Sequence, residues 1–128
     1  MSYYINRRLR LPFEDAVARI KAGLGEQGFG IPTDIDVQAV MKAKLGESFR
    51  PYRILGACNP SLANWALTAE DKIGTMLPCN IIVQEHMPGD VEVAAIDPVS
   101  SMATVGNPDL EPLAQTVRER LSRALAGL

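Results

Sequence analysis

The chain has 128 residues, of which 47% are hydrophobic and 22% are charged. This length and composition fit one globular domain and exclude a disordered or fibrous chain. The 13 basic and 15 acidic side chains give a formal net charge of -2, so no general positive field favours nucleic acid or an anionic membrane surface as a partner. We predict a single domain over residues 1–128 that binds neither.

The amino-terminal segment predicts a soluble cytoplasmic protein. MSYYINRRLRL is polar and charged where a secretory signal would carry an apolar run. No later apolar stretch approaches the roughly 20 residues of a membrane span. The chain has two cysteines, too few for a disulfide framework, and a reducing compartment keeps both as free thiols.

Alternating apolar residues predict a first strand with one buried face. One parity holds Tyr3, Ile5, Leu9 and Leu11. Arg7 interrupts that parity. The RRLR cluster favours a solvated strand edge over an anion site, because a pleated strand sends neighbouring arginines to opposite faces.

A helix, a strand and a second helix are predicted next. Pro12 suits the first turn of a helix, which the glycines after residue 24 end. FGIPTDIDV resumes a period of two, and Pro32 places this strand at a sheet edge. VQAVMKAKLG predicts a short helix that stops at Gly46, with an apolar side of Val37, Val40, Met41 and Leu45.

The second half of the chain predicts three strands and two helices. YRILGAC is apolar enough for a central strand, and Asn59-Pro60 fits the N-cap and first residue of the helix PSLANWALTAEDK. CNIIVQEH and VEVAAID flank MPGD, whose Pro-Gly pair fits the centre of a type II turn in a hairpin. PVSSMATVG is predicted to be a loop, and Asn107-Pro108 to begin the last helix.

The order of these elements predicts an α+β fold. A doubly wound fold would not normally end in a tight hairpin. We therefore expect a mixed, largely antiparallel sheet with helices mainly on one face.

Three blocks of sequence resemble the family known as domain of unknown function 302. They are ILGACNPSLANWAL, GTMLPCNIIVQE and VEVAAIDP, in this order, and the resemblance spans nearly the whole chain. It implies a compact α+β domain with a TATA-binding-protein-like topology that associates as a homodimer. It implies no activity, and similarity in fold to a DNA-bending protein does not transfer DNA binding.

The two Cys-Asn pairs contain the best catalytic candidates, Cys58 and Cys79. Cys58 ends a predicted strand beside a helix N-terminus, where backbone N–H groups and the helix dipole stabilise a thiolate. Cys79 begins the next long strand, and we expect Cys58 to be the more reactive. Cysteine is also a common apolar filler. The spacing of the two is no metal or redox signature, and we predict neither a metal nor a cofactor.

Asn59 and Asn80 are candidates for binding a ligand, because their amides would orient a polar group at the two corners. Each also has a structural interpretation. Asn59 fits a helix cap, and Asn80 fits a local partner of the backbone after a turn.

Trp65 and Glu85 complete the ligand-binding candidates. Trp65 is first a core or interface anchor and second a stacking platform. Glu85 and Asp97 would serve as a general base or a metal ligand, although single acids at such positions are usually solvated. His86 is predicted to be exposed at the hairpin end.

Two hypotheses on function follow. The favoured one is a non-enzymatic homodimer with a structural or interaction role, because one sheet in so small a chain leaves part of its surface or an edge uncovered. The alternative is a small-ligand or thiol-chemistry protein, whose pocket is lined by the Cys58-Asn59 and Cys79-Asn80 corners. Its ligand is an unidentified small molecule.

Overall fold

A computed structural model describes residues 2–128. Its five strands are β1 Tyr4–Arg10, β2 Gly30–Asp36, β3 Tyr52–Cys58, β4 Cys79–Met87 and β5 Asp90–Ile96. Its five α-helices are α1 Phe13–Glu26, α2 Val37–Leu45, α3 Pro60–Ala69, α4 Pro98–Ala103 and α5 Glu111–Ala126. Short 3-10 helices lie at Ile73–Met76 and Pro108–Leu110.

The strands form one sheet in the order β1-β5-β4-β3-β2, and the neighbouring strands are antiparallel. The predicted α+β class is therefore confirmed. β3 is an interior strand and β2 an edge strand, as the sequence predicts. The ladder of β2 shifts register between Gly30 and Thr33, next to Pro32. β1 forms the other edge and pairs with β5 through seven consecutive positions.

One face of the sheet packs against α1 and α5 and forms the core. Strand alternation sends every second side chain to this face, where the apolar stripes of the two helices meet it. Its fully buried side chains include Ile20, Leu24, Leu55, Ile81, Val83, Val91, Val93 and Leu121.

The first strand differs from its prediction at two residues. Tyr3 lies before β1 and is 70% exposed, so it is not part of the buried parity. Arg7 belongs to that parity because its guanidinium reaches the end of α5, where Nη1 donates to the carbonyls of Leu125 at 3.1 Å and Ala126 at 2.7 Å. An arginine at this place is favourable, since it satisfies carbonyls that the helix leaves unpaired.

Two helical predictions need correction. PVSSMATVG is not a loop, because residues 98–103 form α4. The predicted apolar side of α2 is not buried either: Val40 is 45% and Leu45 67% exposed. α2 contacts β3 but ends in solvent at Gly46, as predicted.

Asp97 is buried, at 8% exposure, which corrects the prediction of a solvated acid. Its Oδ1 accepts from the backbone N–H of Val99 at 3.0 Å and so caps α4. Its Oδ2 accepts from Arg118 Nε at 3.1 Å. Both oxygens are therefore paired, which makes burial of the carboxylate tolerable.

The hairpin and the last helix are confirmed. Gly89, in the turn between β4 and β5, has a φ of +81°, as the third residue of a type II turn requires. Asn107 caps the 3-10 turn that leads into α5. Within residues 2–128, no helix combines the length and the apolar character needed to cross a membrane.

Candidate functional site

The face of the sheet opposite α1 and α5, here called the open face, carries an apolar row across four strands. The register places Ile35 beside Ile54, Ile54 beside Ile82, and Ile82 beside Ala94. Ile35, at the β2 end, is 46% exposed. Ile54 and Ile82 are half-buried and Ala94 is buried, so the exposed apolar surface of this row lies mainly at its β2 end.

A polar row lies next to the apolar row and is centred on Glu92. Its carboxylate accepts from Asn6 Nδ2 at 2.8 Å and from Gln84 Nε2 at 3.1 Å, and it contacts His86 Nε2 at 2.9 Å. The hydrogen bond with His86 lowers the pKa of Glu92 most, Asn6 and the charge of Arg8 add to this, and partial burial opposes it. The contacts of the Glu92 carboxylate therefore stabilise the folded protein at pH values above the pKa of Glu92 in the unfolded chain. This stabilisation is lost as pH falls through the lower pKa of Glu92 in the folded protein.

His86 is thus exposed, as predicted, but it also joins a contact that the sequence does not reveal. Its strand shifts register between Glu85 and Met87. The ring reaches Glu92 of β5 across the hairpin.

The open face carries a groove of about 390 Å³. Ile82, Ala94 and Ile96 form its apolar part, and Tyr4, Tyr52 and Asn80 also line it. The volume lies within the range of small-molecule sites, roughly 300–1,000 Å³. Asn80 is exposed, so the structure places this candidate on an accessible surface.

Asn80 also lines a second cavity of about 260 Å³, together with Pro78, Cys79 and Ser101. The groove and this cavity adjoin at Asn80 and Ile96. The Cys79-Asn80 corner is therefore where two surface depressions meet.

Both cysteines line one small apolar cavity of about 30 Å³, against Phe29, Leu62 and Met102. Cys79 pairs in register with Ala57, the residue before Cys58. Cys79 is buried and Cys58 is half-buried. Burial raises the pKa of Cys79 to about 11, with a smaller contribution from the charge of Cys58. At neutral pH Cys79 is therefore a thiol rather than a nucleophilic thiolate.

Asn59 is the predicted N-cap of α3. Its Oδ1 accepts from the backbone N–H of Leu62 at 3.1 Å, and its Nδ2 donates to the carbonyl of Gly28 at 3.0 Å. Both ends of the amide bind the backbone, so Asn59 holds α3 to the loop after α1.

Gly56 is a residue of this region that the sequence analysis missed. A Cβ at this position would lie 2.5 Å from Pro78 Cγ and closer still to Thr33 Oγ1. Only glycine lets β2 and the Leu77-Pro78 segment approach β3 so closely. The single cue in the sequence is a glycine within an otherwise apolar strand.

Trp65 and Glu85 lie elsewhere. Trp65 is 41% exposed, so its interpretation as a core anchor is wrong. Glu85 Oε2 accepts from the backbone N–H of Gly89 at 3.3 Å, which assigns it to the hairpin turn. In the described part of the chain, no three His, Cys, Asp or Glu side chains converge as metal ligands would.

Comparison with known proteins agrees with this architecture. The family model described as domain of unknown function DUF302 matches residues 5–128. The chain belongs to the DUF302 family. This DUF302 domain is also similar to the crystal structure of an uncharacterized conserved DUF302 protein from Bacillus stearothermophilus, with 24% identity, 98% coverage of each chain and a TM-score of 0.91. At that identity the likeness shows the fold alone. No curated protein matches the sequence.

Proposed function

We propose that this DUF302 domain is a cytoplasmic homodimer with a structural or interaction role. One observation carries the proposal. The five-stranded sheet packs against α1 and α5 on one face. Within residues 2–128, the open face and the outer edge of β1 stay uncovered. Association covers such surfaces, and closed two-fold dimers are the commonest form of soluble homo-oligomer.

The state of the two Cys-Asn corners supports a structural role for them. Both the oxygen and the nitrogen of the Asn59 amide are hydrogen-bonded to the backbone. Cys79 is buried, and its pKa is raised. These are the features of a packed corner. The cytoplasmic assignment rests on the polar amino-terminal segment, and two cysteines are too few for the disulfide framework of a small secreted domain.

Sedimentation equilibrium from low to high micromolar concentration tests the homodimer. We expect a species of twice the 13.9 kDa chain mass. A strict monomer over the whole range would contradict the proposal.

The alternative, a small-ligand protein, is favoured by the Cys79-Asn80 corner, where the groove adjoins the second cavity. A ligand there would place an apolar part on Ile82 and Ala94 and a polar group at the Asn80 amide. Native mass spectrometry of protein purified under reducing conditions tests this. A bound mass that disappears in Ala94→Phe, which fills the groove, would support a ligand. If the bound mass is retained in that variant, or if neither protein carries any bound mass, a ligand in this groove is contradicted.

A further inference from the structure

We infer that the homodimer forms through the edge of β1, which pairs antiparallel with β1 of a second copy. Two five-stranded sheets would then join into one continuous sheet. This inference rests on the proposed homodimer and names the surface that the two copies share.

The backbone of β1 shows which groups are available for pairing. In an antiparallel ladder, the N–H and C=O of one residue point to the same side, and the side alternates along the strand. The carbonyl of Tyr3 accepts from the Asp97 N–H at 2.8 Å, so odd-numbered residues face β5. Even-numbered residues therefore face outward.

Ser2 and Tyr4 confirm this alternation. The Ser2 hydroxyl donates to the Tyr4 carbonyl at 3.0 Å and accepts from the Tyr4 N–H at 3.3 Å. Within one chain the Ser2 hydroxyl therefore binds the outward groups of Tyr4, and pairing of Tyr4 with the backbone of a second strand would replace this contact. The backbone groups of Asn6 and Arg8 come next along the same side and point away from β5, where a second strand could bind them.

Full overlap of β1 with its symmetry mate fixes the register. A strand from residue 4 to residue 10 pairs with its own copy about Arg7, so Asn6 lies opposite Arg8 of the second copy. This register places outward-facing residues opposite each other, which is the condition for ladder hydrogen bonds. A shift to the neighbouring allowed register would place Arg8 opposite Arg8, or Asn6 opposite Asn6, with fewer pairs.

The side chains fit the same register. Tyr4 would lie opposite Arg10, where an arginine can stack on the tyrosine ring. Ile5 would lie opposite Leu9 on the helix side. Arg7 meets its own copy at the axis, but its guanidinium is held by the carbonyls of Leu125 and Ala126 at the negative end of α5. Arg8 is paired with Asp90 at 3.1 Å.

The other uncovered surfaces suit a second copy less well. Edge strand β2 contains Pro32 and an irregular register, both of which protect an edge from pairing. The open face carries a groove of about 390 Å³, so a two-fold dimer that set this groove against its own copy would leave a void, against the close packing of protein interfaces. β1 is a regular edge without either obstacle.

A proline in β1 tests the inference. Arg8→Pro removes an outward N–H and leaves the bonds to β5 in place, whereas the matched control Arg8→Ala keeps that N–H. By sedimentation equilibrium we expect the control to remain dimeric and Arg8→Pro to be monomeric, with circular dichroism showing that both are folded. A dimeric Arg8→Pro would overturn the edge pairing while the homodimer stood. A monomeric parent would overturn both.

Disulfide crosslinking gives an independent reading of the register if Arg8→Pro fails to fold. In a Cys58→Ser, Cys79→Ala background, Arg7→Cys places two thiols across the axis with Cα atoms about 4.5 Å apart, within disulfide range. The control Leu9→Cys places its two thiols four residues apart along the strand, roughly 13 Å. Mild oxidation with diamide should crosslink only Arg7→Cys. No crosslink at position 7, or an equal yield at position 9, would overturn the inference.

Discussion

Asn59 shows how one side chain fixes a corner, because its amide binds α3 and the loop after α1 at once. We predict that Asn59→Ala lowers the free energy of unfolding by about 1 kcal/mol through loss of the cap. Asn59→Asp is the matched control, since it keeps the cap oxygen and replaces the amide nitrogen that donates to the Gly28 carbonyl by a second oxygen. Urea melts should show a smaller loss for Asp than for Ala. An unchanged stability in Asn59→Ala would mean that the side chain does not cap α3.

The two thiols differ in exposure and therefore in reactivity. Cys58 is half-buried beside the first turn of α3, whereas burial raises the pKa of Cys79 to about 11. We predict that native Cys58 is alkylated faster by iodoacetamide at every pH from 7 to 9, because Cys79 forms its thiolate only at higher pH. Mass spectrometry of the two cysteine peptides measures both rates. Equal or reversed rates would remove Cys58 as the reactive thiol.

At the scale of elements, the packing of β2, β3 and the Leu77-Pro78 segment depends on Gly56. Gly56→Ala should destabilise the fold by roughly 1–3 kcal/mol, the usual effect of overpacking, since the new Cβ meets Pro78 and Thr33. Gly30→Ala is the matched control, because its Cβ would lie 3.8 Å from the Cys58 carbonyl oxygen, an ordinary van der Waals contact. Similar effects of the two substitutions in denaturant melts would show that the close approach does not matter.

Asp34 ties the edge strand β2 to two neighbours. Its carboxylate contacts Arg53 Nη2 of β3 at 2.6 Å and Lys21 Nζ of α1 at 2.8 Å. The hydrogen bond with Arg53 holds the pKa of Asp34 well below its usual range, Lys21 adds to this, and burial opposes it. Asp34 therefore contributes to the free energy of unfolding at pH values above its unfolded pKa of about 3.9. This contribution is lost as pH falls through the lower pKa of Asp34 in the folded protein.

We predict that Asp34→Asn lowers stability by about 1 kcal/mol at pH 7. The difference between the variant and the parent should shrink as pH falls below about 4. Urea melts at pH 7 and pH 3 measure it. The same difference at both values would show that the charge of Asp34 is not the source of the effect.

For the whole molecule, local patterns in the sequence predicted most of the helices and strands. They did not predict the contacts between residues that lie far apart in the chain. Asn59-Pro60 gave α3, and the same cap-and-proline signal at Asp97-Pro98 could have revealed α4. The Glu92 cluster joins β1, β4 and β5, so it depends on the register, which a single sequence does not show. Arg7 is explained only by the end of α5, which lies far along the chain.

Hydrogen exchange of the β1 amides is the most direct test of a homodimer joined at this edge. The amides of Ile5 and Arg7 face β5 and should be protected at all concentrations. Those of Asn6 and Arg8 face outward, so we predict protection at high micromolar concentration and fast exchange on dilution into the low micromolar range. Fast exchange of Asn6 and Arg8 in protein shown to be dimeric would contradict the account.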